Sequence, residues 1–91
     1  MREVKIYLGS PNDTHVIGKD YAARIEKWAE VHLQGYTWQR GRGYWNGTSE
    51  ESVILTVLGQ DIPIVALQEL RDSLAQECIM ATVSEVNVIT V

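Results

Sequence analysis

The segment from Tyr36 to Gly47 holds the densest group of side chains suited to ligand binding. In a regular β-strand, residues at even positions share one face. Here that face carries three aromatic rings and two guanidinium groups, from Tyr36, Trp38, Arg40, Arg42 and Tyr44. Aromatic rings stack on nucleobases, a contact worth about 1–3 kcal/mol per base in single-stranded nucleic-acid sites. Guanidinium groups bind phosphate in a bidentate manner. This face is predicted to bind a small anionic, nucleotide-type ligand.

A structural interpretation of the same residues stays open. Aromatic side chains of a hairpin commonly pack on the core or on a neighbouring subunit, and exposed arginines pair with carboxylates. Glu50 and Glu51 are close enough in sequence to be such partners. A bulge at Gly41 or Gly43 would also move half of the side chains to the other face. We favour a binding site because the arginines and rings are more concentrated than a core requires.

Outside this segment the chemical signals are weaker. His15 lies in a polar loop with Asp13 and Thr14, near the expected start of the first helix, where the helix dipole favours a phosphate. His15 is therefore a second choice for ligand binding. Trp45, which belongs to the Tyr36–Gly47 segment, is the other second choice. His32 is expected to pack on the inward side of that helix, and Cys78 to be a buried, inert thiol.

Several classes of site have no matching pattern. The two histidines and single cysteine do not have zinc-ligand spacing, and neither a Walker loop nor a dinucleotide fingerprint occurs. We therefore expect no cofactor, no metal and no catalytic residues, and a chain that binds its ligand without transforming it.

The periodicity of apolar residues predicts the elements that position these side chains. Strands are expected from Val4 to Leu8, from Tyr36 to Trp45, from Val53 to Leu58 and from Cys78 to Val83, with an additional strand over Val86–Val91. Asn46-Gly47 is expected to form the hairpin turn after the second of them. Helices are expected from about Lys19 to Leu33 and from about Ile62 to Gln76. This order is typical of an α+β, ferredoxin-like (split βαβ) domain with two helices on one face of an antiparallel sheet. The last strand would form a sheet edge open to a partner subunit.

Length and composition limit the classes of protein further. The 91 residues suit one domain, and 45% hydrophobic residues argue against disorder. A net charge of −4 disfavours binding to long nucleic acids. The lone cysteine cannot form an internal disulfide, so a cytoplasmic location is expected. No stretch is apolar enough for a signal peptide or a membrane span, so no membrane partner is expected.

Several short motifs extend this interpretation. They are Gly35-Tyr-Thr, Gly43-Tyr-Trp-Asn-Gly, Glu51-Ser-Val-Ile-Leu and Gln76-Glu-Cys-Ile-Met. Their order and spacing resemble a family of small uncharacterised bacterial and phage proteins, in which serine is usual at the position of Cys78. The architecture also resembles the PII-like signalling proteins. That resemblance implies a ring of ferredoxin-like subunits that bind nucleotides between them, with Tyr36–Gly47 in the place of the binding loop.

Three functional hypotheses result. The first is a nucleotide-binding homo-oligomer, in its sharpest form a phage sponge acting in the host cytoplasm. Such a protein sequesters a cyclic nucleotide or ADP-ribose derivative used in immune signalling. The second is a protein-interaction module that uses the Trp, Tyr and Arg patch. The third is a small dimeric ferredoxin-like enzyme with His15 or His32 as its base.

Overall fold

The computed structural model describes residues 1–91, which form four strands and two helices. The strands are β1 (Arg2–Gly9), β2 (Thr37–Trp45), β3 (Thr48–Leu58) and β4 (Met80–Glu85). The helices are α1 (Lys19–His32) and α2 (Ile64–Ser73). All three strand pairs are antiparallel, and the order across the sheet is β2-β3-β1-β4. This is the predicted ferredoxin-like arrangement, so the expected fold class is confirmed.

Strict alternation along β1 and β3 creates one apolar face of the sheet. Val4, Ile6 and Leu8 are buried, and the intervening residues of β1 are only partly covered. In the β1–β3 register Ile6 stands opposite Leu55, and both side chains are fully buried. Both helices pack on this face, where one cluster of 15 buried residues forms the core. The opposite face of the sheet carries no helix, and we call it the open face.

Each helix contributes a stripe of side chains to that core. In α1 the buried residues are Tyr21, Ile25, Trp28 and Ala29, which recur at helical spacing as predicted. In α2 the buried residues are Ala66 and Leu70, and Leu74 follows at the C-cap. The Trp28 indole N–H donates to the Ala66 carbonyl at 2.8 Å, which satisfies a buried donor and joins the two helices.

The turn between β2 and β3 has the backbone geometry that its sequence favours. Asn46 and Gly47 have φ angles of 48° and 80°, both in the left-handed region. Two consecutive left-handed residues are characteristic of a type I′ turn, for which Asn-Gly is the preferred pair. The predicted hairpin is therefore confirmed.

The C-terminal part of the chain differs from the prediction. The expected strand over Val86–Val91 does not form, because no turn occurs at Ser84-Glu85. Both residues instead stay in β4, where they pair with Glu3 and Arg2 of β1. Beyond them the pairing continues only at Val86, whose amide donates to the Met1 carbonyl at 2.8 Å and whose carbonyl accepts from the Met1 amino group at 3.2 Å.

Two further predictions depended on where β4 begins. Cys78 precedes β4 instead of starting it, and its side chain is exposed. The expectation of a buried thiol is therefore wrong.

Neither helix has the length and apolarity that crossing a bilayer would require.

Candidate functional site

The β2 strand carries its predicted side chains on the predicted face. Its pairing with β3 runs without a bulge, so Gly41 and Gly43 keep their places opposite Ser52 and Glu50. Because Trp38 stands opposite the buried Leu55, the even-numbered side chains of β2 lie on the helix-covered face. The face proposed from the sequence is therefore continuous.

The five side chains on that face have different environments. Tyr36 and Trp38 are partly buried and pack against the core, as the structural interpretation of the sequence allowed. Tyr44 lies at the other end of the strand and is 74% exposed. Trp45 is 75% exposed and, at an odd position, lies on the open face. Burial therefore leaves Arg40, Arg42 and Tyr44 as the accessible part of the predicted site.

Arg40 is held in place by contacts with its surroundings. Its Nη1 lies 3.6 Å from Glu51 Oε1 and donates to the Ile17 carbonyl at 3.3 Å. The same Glu51 oxygen accepts the Ile17 amide at 2.9 Å. These three residues join β2, β3 and the loop between β1 and α1 (residues 10–18). Because both partners of the ion pair are about half exposed, solvent screening weakens it.

A hollow of about 410 Å³ lies beside this network. We call it the arginine hollow, and its lining residues are Arg40, Gly41, Arg42, Glu51 and Ser52. Arg42 stands across the strands from Glu51 but forms no ion pair within the chain. The hollow therefore combines one paired guanidinium, one unpaired guanidinium and one carboxylate.

His15 lies next to Glu50 and outside the arginine hollow. Its Nδ1 is 3.9 Å from Glu50 Oε2, and this nitrogen is buried without a hydrogen-bond partner. The His15 backbone is in the left-handed region at φ 60°, a conformation in which histidine is enriched among non-glycine residues. Its carbonyl accepts the Glu51 amide at 3.0 Å, which links His15 to a wall of the hollow through one residue.

Two side chains fix the loop that carries His15. The Tyr21 hydroxyl donates to the Gly9 carbonyl at 2.6 Å. The Gln76 amide donates to the Ser10 carbonyl at 3.2 Å and to the Tyr21 hydroxyl at 3.1 Å. The loop is therefore clamped at its start by α1 and by the segment after α2.

Tyr21 gives this clamp a pH dependence. Burial raises the pKa of its phenol, the hydrogen bond from Gln76 acts in the opposite direction, and the Glu50 charge raises it further. A raised folded-state pKa means that the protonated phenol stabilises the fold below the ordinary value of about 10, and that this stabilisation is lost as pH rises through the folded pKa. We expect the difference in free energy of unfolding between the native chain and Tyr21→Phe to shrink above about pH 10. Urea denaturation of both chains from pH 7 to 11 measures it, and a constant difference would contradict the assignment.

His32, the other histidine, is the last residue of α1. Its Nε2 is 3.3 Å from Glu69 Oε2, and its ring lies 5.2 Å from the Trp28 ring. It lines a hollow of about 430 Å³ between the helices, whose other lining residues include Arg24, Lys27 and Glu69. Five of the seven residues that line this hollow are charged or polar, and the other two are Trp28 and Val31.

Three residues beyond those predicted from the sequence as site residues shape this region. Glu51, Ser52 and Gln76 line the arginine hollow or clamp the loop beside it. From the sequence they were expected only as ion-pair partners or as parts of the Glu51-Ser and Gln76-Glu motifs. Those motifs could have pointed to these three residues, because they mark polar residues next to buried strands.

No family model and no curated protein matches the sequence of this chain. Similar solved structures do exist. A phage SAM lyase without ligand is 18% identical, with a TM-score of 0.56 over 91% of this chain and 78% of the lyase chain. The same enzyme in complex with S-methyl-5′-thioadenosine is also 18% identical, with a TM-score of 0.56 over 92% and 80%.

Two further structures have the same architecture. A DUF3240-family protein from Shewanella baltica is 10% identical, with a TM-score of 0.59 over 99% of this chain and 94% of its own. A PII-like signalling protein from Thermus thermophilus is 19% identical, with a TM-score of 0.51 over 97% and 87%. At these sequence identities, the similarity shows a shared fold only.

These structures correct one expectation from the sequence. We expected a chain that binds its ligand without transforming it, because the sequence has no zinc-ligand spacing, Walker loop or dinucleotide fingerprint. The SAM lyase is an enzyme with a similar fold, so the expectation of a non-enzyme is contradicted. The chain has a PII-like, ferredoxin-like fold that is found in both a signalling protein and an enzyme.

Proposed function

We propose that this chain binds a nucleoside-type ligand bearing a phosphate or carboxylate, and that the arginine hollow holds the anionic group. The observation that carries this proposal is the Arg42 guanidinium, which lines the hollow beside Arg40 without a carboxylate partner. An oxyanion in the hollow would receive charge-assisted hydrogen bonds from Arg42. Glu51 holds Arg40 in position and leaves Arg42 free for the ligand.

Two observations support a nucleoside for the rest of the ligand. Tyr44 is exposed on the same face of β2 as Arg42, two residues further along, so its ring can stack on a base while the guanidinium holds the anion. The phage SAM lyase of similar fold was solved with S-methyl-5′-thioadenosine, a nucleoside.

We place this site at the boundary between subunits of a homo-oligomer. β2 is an edge strand, and Tyr44 and Trp45 expose large apolar surfaces at its end. A second copy against this edge would cover those rings and enclose the hollow. Light scattering after size-exclusion chromatography is expected to give a multiple of 10.3 kDa. A monomer at micromolar concentration would remove the subunit boundary from the proposal.

A thermal-shift screen tests the binding proposal. The panel contains S-adenosylmethionine, S-adenosylhomocysteine, ADP, ADP-ribose and cyclic dinucleotides, with adenosine as the matched ligand that lacks an anionic group. A ligand at a hundred times its Kd stabilises the fold by about 2.7 kcal/mol, which corresponds to about 10 °C for a domain of this size. We expect an anionic member to exceed adenosine clearly. If no member changes the melting temperature at millimolar concentration, the proposal fails.

Whether the bound ligand is converted or stays intact then distinguishes an enzyme from a sequestering protein. Chromatography and mass spectrometry of the incubated mixture separate two outcomes. Cleavage products identify an enzyme of the kind represented by the lyase fold. Intact ligand that is released only on denaturation would identify sequestration, as in a phage sponge that removes an immune-signalling nucleotide.

Protein interaction is the second candidate function, and Trp45 favours it. A tryptophan that is 75% exposed beside an exposed tyrosine has the composition of an interface hot spot. This candidate is preferred if the ligand panel has no effect and Trp45→Ala abolishes self-association in sedimentation experiments. If Trp45→Ala leaves the sedimentation unchanged, Trp45 does not mediate self-association.

A further inference from the structure

We propose that the segment after β4, residues 87–91, docks beside β4 of a second copy of this chain and extends that copy's sheet by one strand. The starting observation is that these residues form no backbone hydrogen bonds, although three of the five are large and apolar. Val88 is 47% exposed and Ile89 is 88% exposed. The segment therefore has both backbone groups and apolar side chains free for a partner.

The surface that receives this segment is an apolar groove between α2 and β4. Its larger part is a hollow of about 350 Å³, and the apolar residues that line it are Val4, Ile62, Ile64, Leu67, Ala81 and Val83. Ile64 and Leu67 also line a second hollow, of about 220 Å³, so the two are continuous. The charged residues of the larger hollow, Arg2 and Asp61, form an ion pair with each other. The groove therefore suits apolar side chains better than an ion.

The backbone of β4 offers hydrogen-bonding groups to a further strand. Val86 exchanges hydrogen bonds with Met1, the residue before β1, so its N–H and C=O groups point towards β1. Along a strand these groups point to alternate sides. Those of Ala81, Val83 and Glu85 therefore point away from β1, to the free edge of the sheet. Such an edge is a template for another strand.

The chain's own segment does not return to this edge. Strand pairing continues through Val86, and neither a turn nor a bend follows it, so residues 87–91 lead away from β4. To lie beside its own β4, the segment would have to reverse direction. A second copy related by a two-fold axis beside Val86 needs no reversal, because its β4 runs antiparallel to the first. Each copy then supplies one segment and one groove.

One register satisfies both the backbone and the side chains. Residues whose backbone groups point to the free edge pair with residues of the same kind, so odd-numbered residues pair with odd-numbered ones. With Val86 opposite the partner's Val86, the partner's Ile89 stands opposite Val83. In the same register the partner's Val91 stands opposite Ala81. Paired residues of neighbouring strands share a face, so both apolar side chains of the partner lie over the groove.

The other edge of the sheet suits this segment less well. On the helix-covered face of β2, the exposed positions are Arg40, Arg42 and Tyr44, which would place guanidinium groups opposite isoleucine and valine. The groove at β4 instead exposes apolar side chains, in Val83 by 61% and in Ile64 by 73%. Because β2 and β4 are opposite edges of the sheet, this contact is separate from the subunit boundary proposed at β2.

Disulfide crosslinking tests the register. In a chain whose native thiol is removed by Cys78→Ser, Val86→Cys places two thiols opposite each other at the two-fold axis. The backbone groups of Val86 point to β1, so this is a non-hydrogen-bonded pair, with Cα atoms about 4.5 Å apart. A disulfide spans that distance. No ligand is needed, so failure of this inference and failure of the binding proposal are distinguishable.

The matched control is Val88→Cys in the same segment and the same Cys78→Ser background. In this register its two copies are offset by four residues, or about 13 Å along the strands. Under mild oxidation we expect Val86→Cys to crosslink at least about tenfold faster than Val88→Cys. Equal rates for the two chains would overturn the proposal.

A second pair of variants tests the groove. Ile89→Asp, added to the Val86→Cys chain, puts a carboxylate opposite Val83. It should slow crosslinking by about tenfold or more, which corresponds to about 1.4 kcal/mol of association free energy. Thr90→Asp adds the same charge at the next position, on the open face, and should slow it by less than about threefold. Both side chains are exposed, so neither change should lower the melting temperature. If the two aspartates act equally, the segment does not occupy the groove and the proposal fails.

Discussion

Replacement of Leu70 by alanine is expected to lower the free energy of unfolding by about 2–5 kcal/mol, the range for fully buried leucines. Leu70 is fully buried and is the larger of the two buried residues within α2. Its loss would leave a cavity between the helix and the sheet. A domain of this length has a total stability of roughly 5–14 kcal/mol, so the change would remove a large share of it. Thermal unfolding should show a melting temperature lower by about 10 °C or more.

A matched variant on the same helix separates burial from helix propensity. Val65 is 68% exposed, one residue before the buried Ala66. Val65→Ala removes apolar atoms from α2 without opening a cavity, so we expect a change within about 0.5 kcal/mol. Equal effects of the two substitutions would show that α2 is not packed on the sheet through Leu70.

The same packing extends to the candidate site. Gln76 follows α2 by a few residues and donates to Ser10 and Tyr21, which hold the loop that carries His15. A helix that detaches would withdraw this clamp, so Leu70→Ala should also weaken ligand binding near its melting temperature. The stability of the fold and the geometry of the site are therefore coupled through the Gln76 side chain.

Most of the fold could be predicted from local patterns in the sequence. The alternation in β1 and β3, the helical spacing in α1 and the Asn46-Gly47 turn each specify an element through sterics or periodicity. The failure at Val86–Val91 has a different origin. An alternating apolar run is compatible with a strand, but a strand also needs a turn that brings it to a partner, and Ser84-Glu85 continues β4 instead.

The candidate site could be predicted only in part. Alternation correctly placed Trp38, Arg40 and Arg42 on one face, because a strand without a bulge has a period of two. It could not show that Trp38 packs on the core, since depth below the surface depends on where the helices lie. Nor could it pair Glu50 with His15, which are 35 positions apart and meet only in the tertiary structure.

Function was the least predictable property, and the error has a physical cause. The absence of a recognised catalytic motif led to the expectation of a binding protein. Catalysis requires only that a few groups be held at the right distances, and residues far apart in sequence can provide them.

Arg42→Ala is expected to weaken binding of the anionic ligand by about 10- to 150-fold, with little change in stability. A hydrogen bond to a charged group is worth about 1.5–3 kcal/mol, and every 1.4 kcal/mol corresponds to a tenfold change in affinity. Arg42 forms no ion pair within the chain, so its removal leaves no carboxylate without a partner. Isothermal titration calorimetry and thermal unfolding of the same samples measure both quantities.

Three controls show whether a loss of affinity in Arg42→Ala comes from a lost contact with the anion. Arg42→Lys keeps the charge but loses the planar fork, so we expect an intermediate affinity if the contact is bidentate. Arg40→Ala should weaken binding and also lower stability, because Arg40 joins Glu51 to the Ile17 carbonyl. Adenosine, which lacks the anion, should bind the native chain and Arg42→Ala equally. If Arg42→Ala binds the anionic ligand as well as the native chain does, the anion lies elsewhere, and the free guanidinium is then better explained as a contact with another protein.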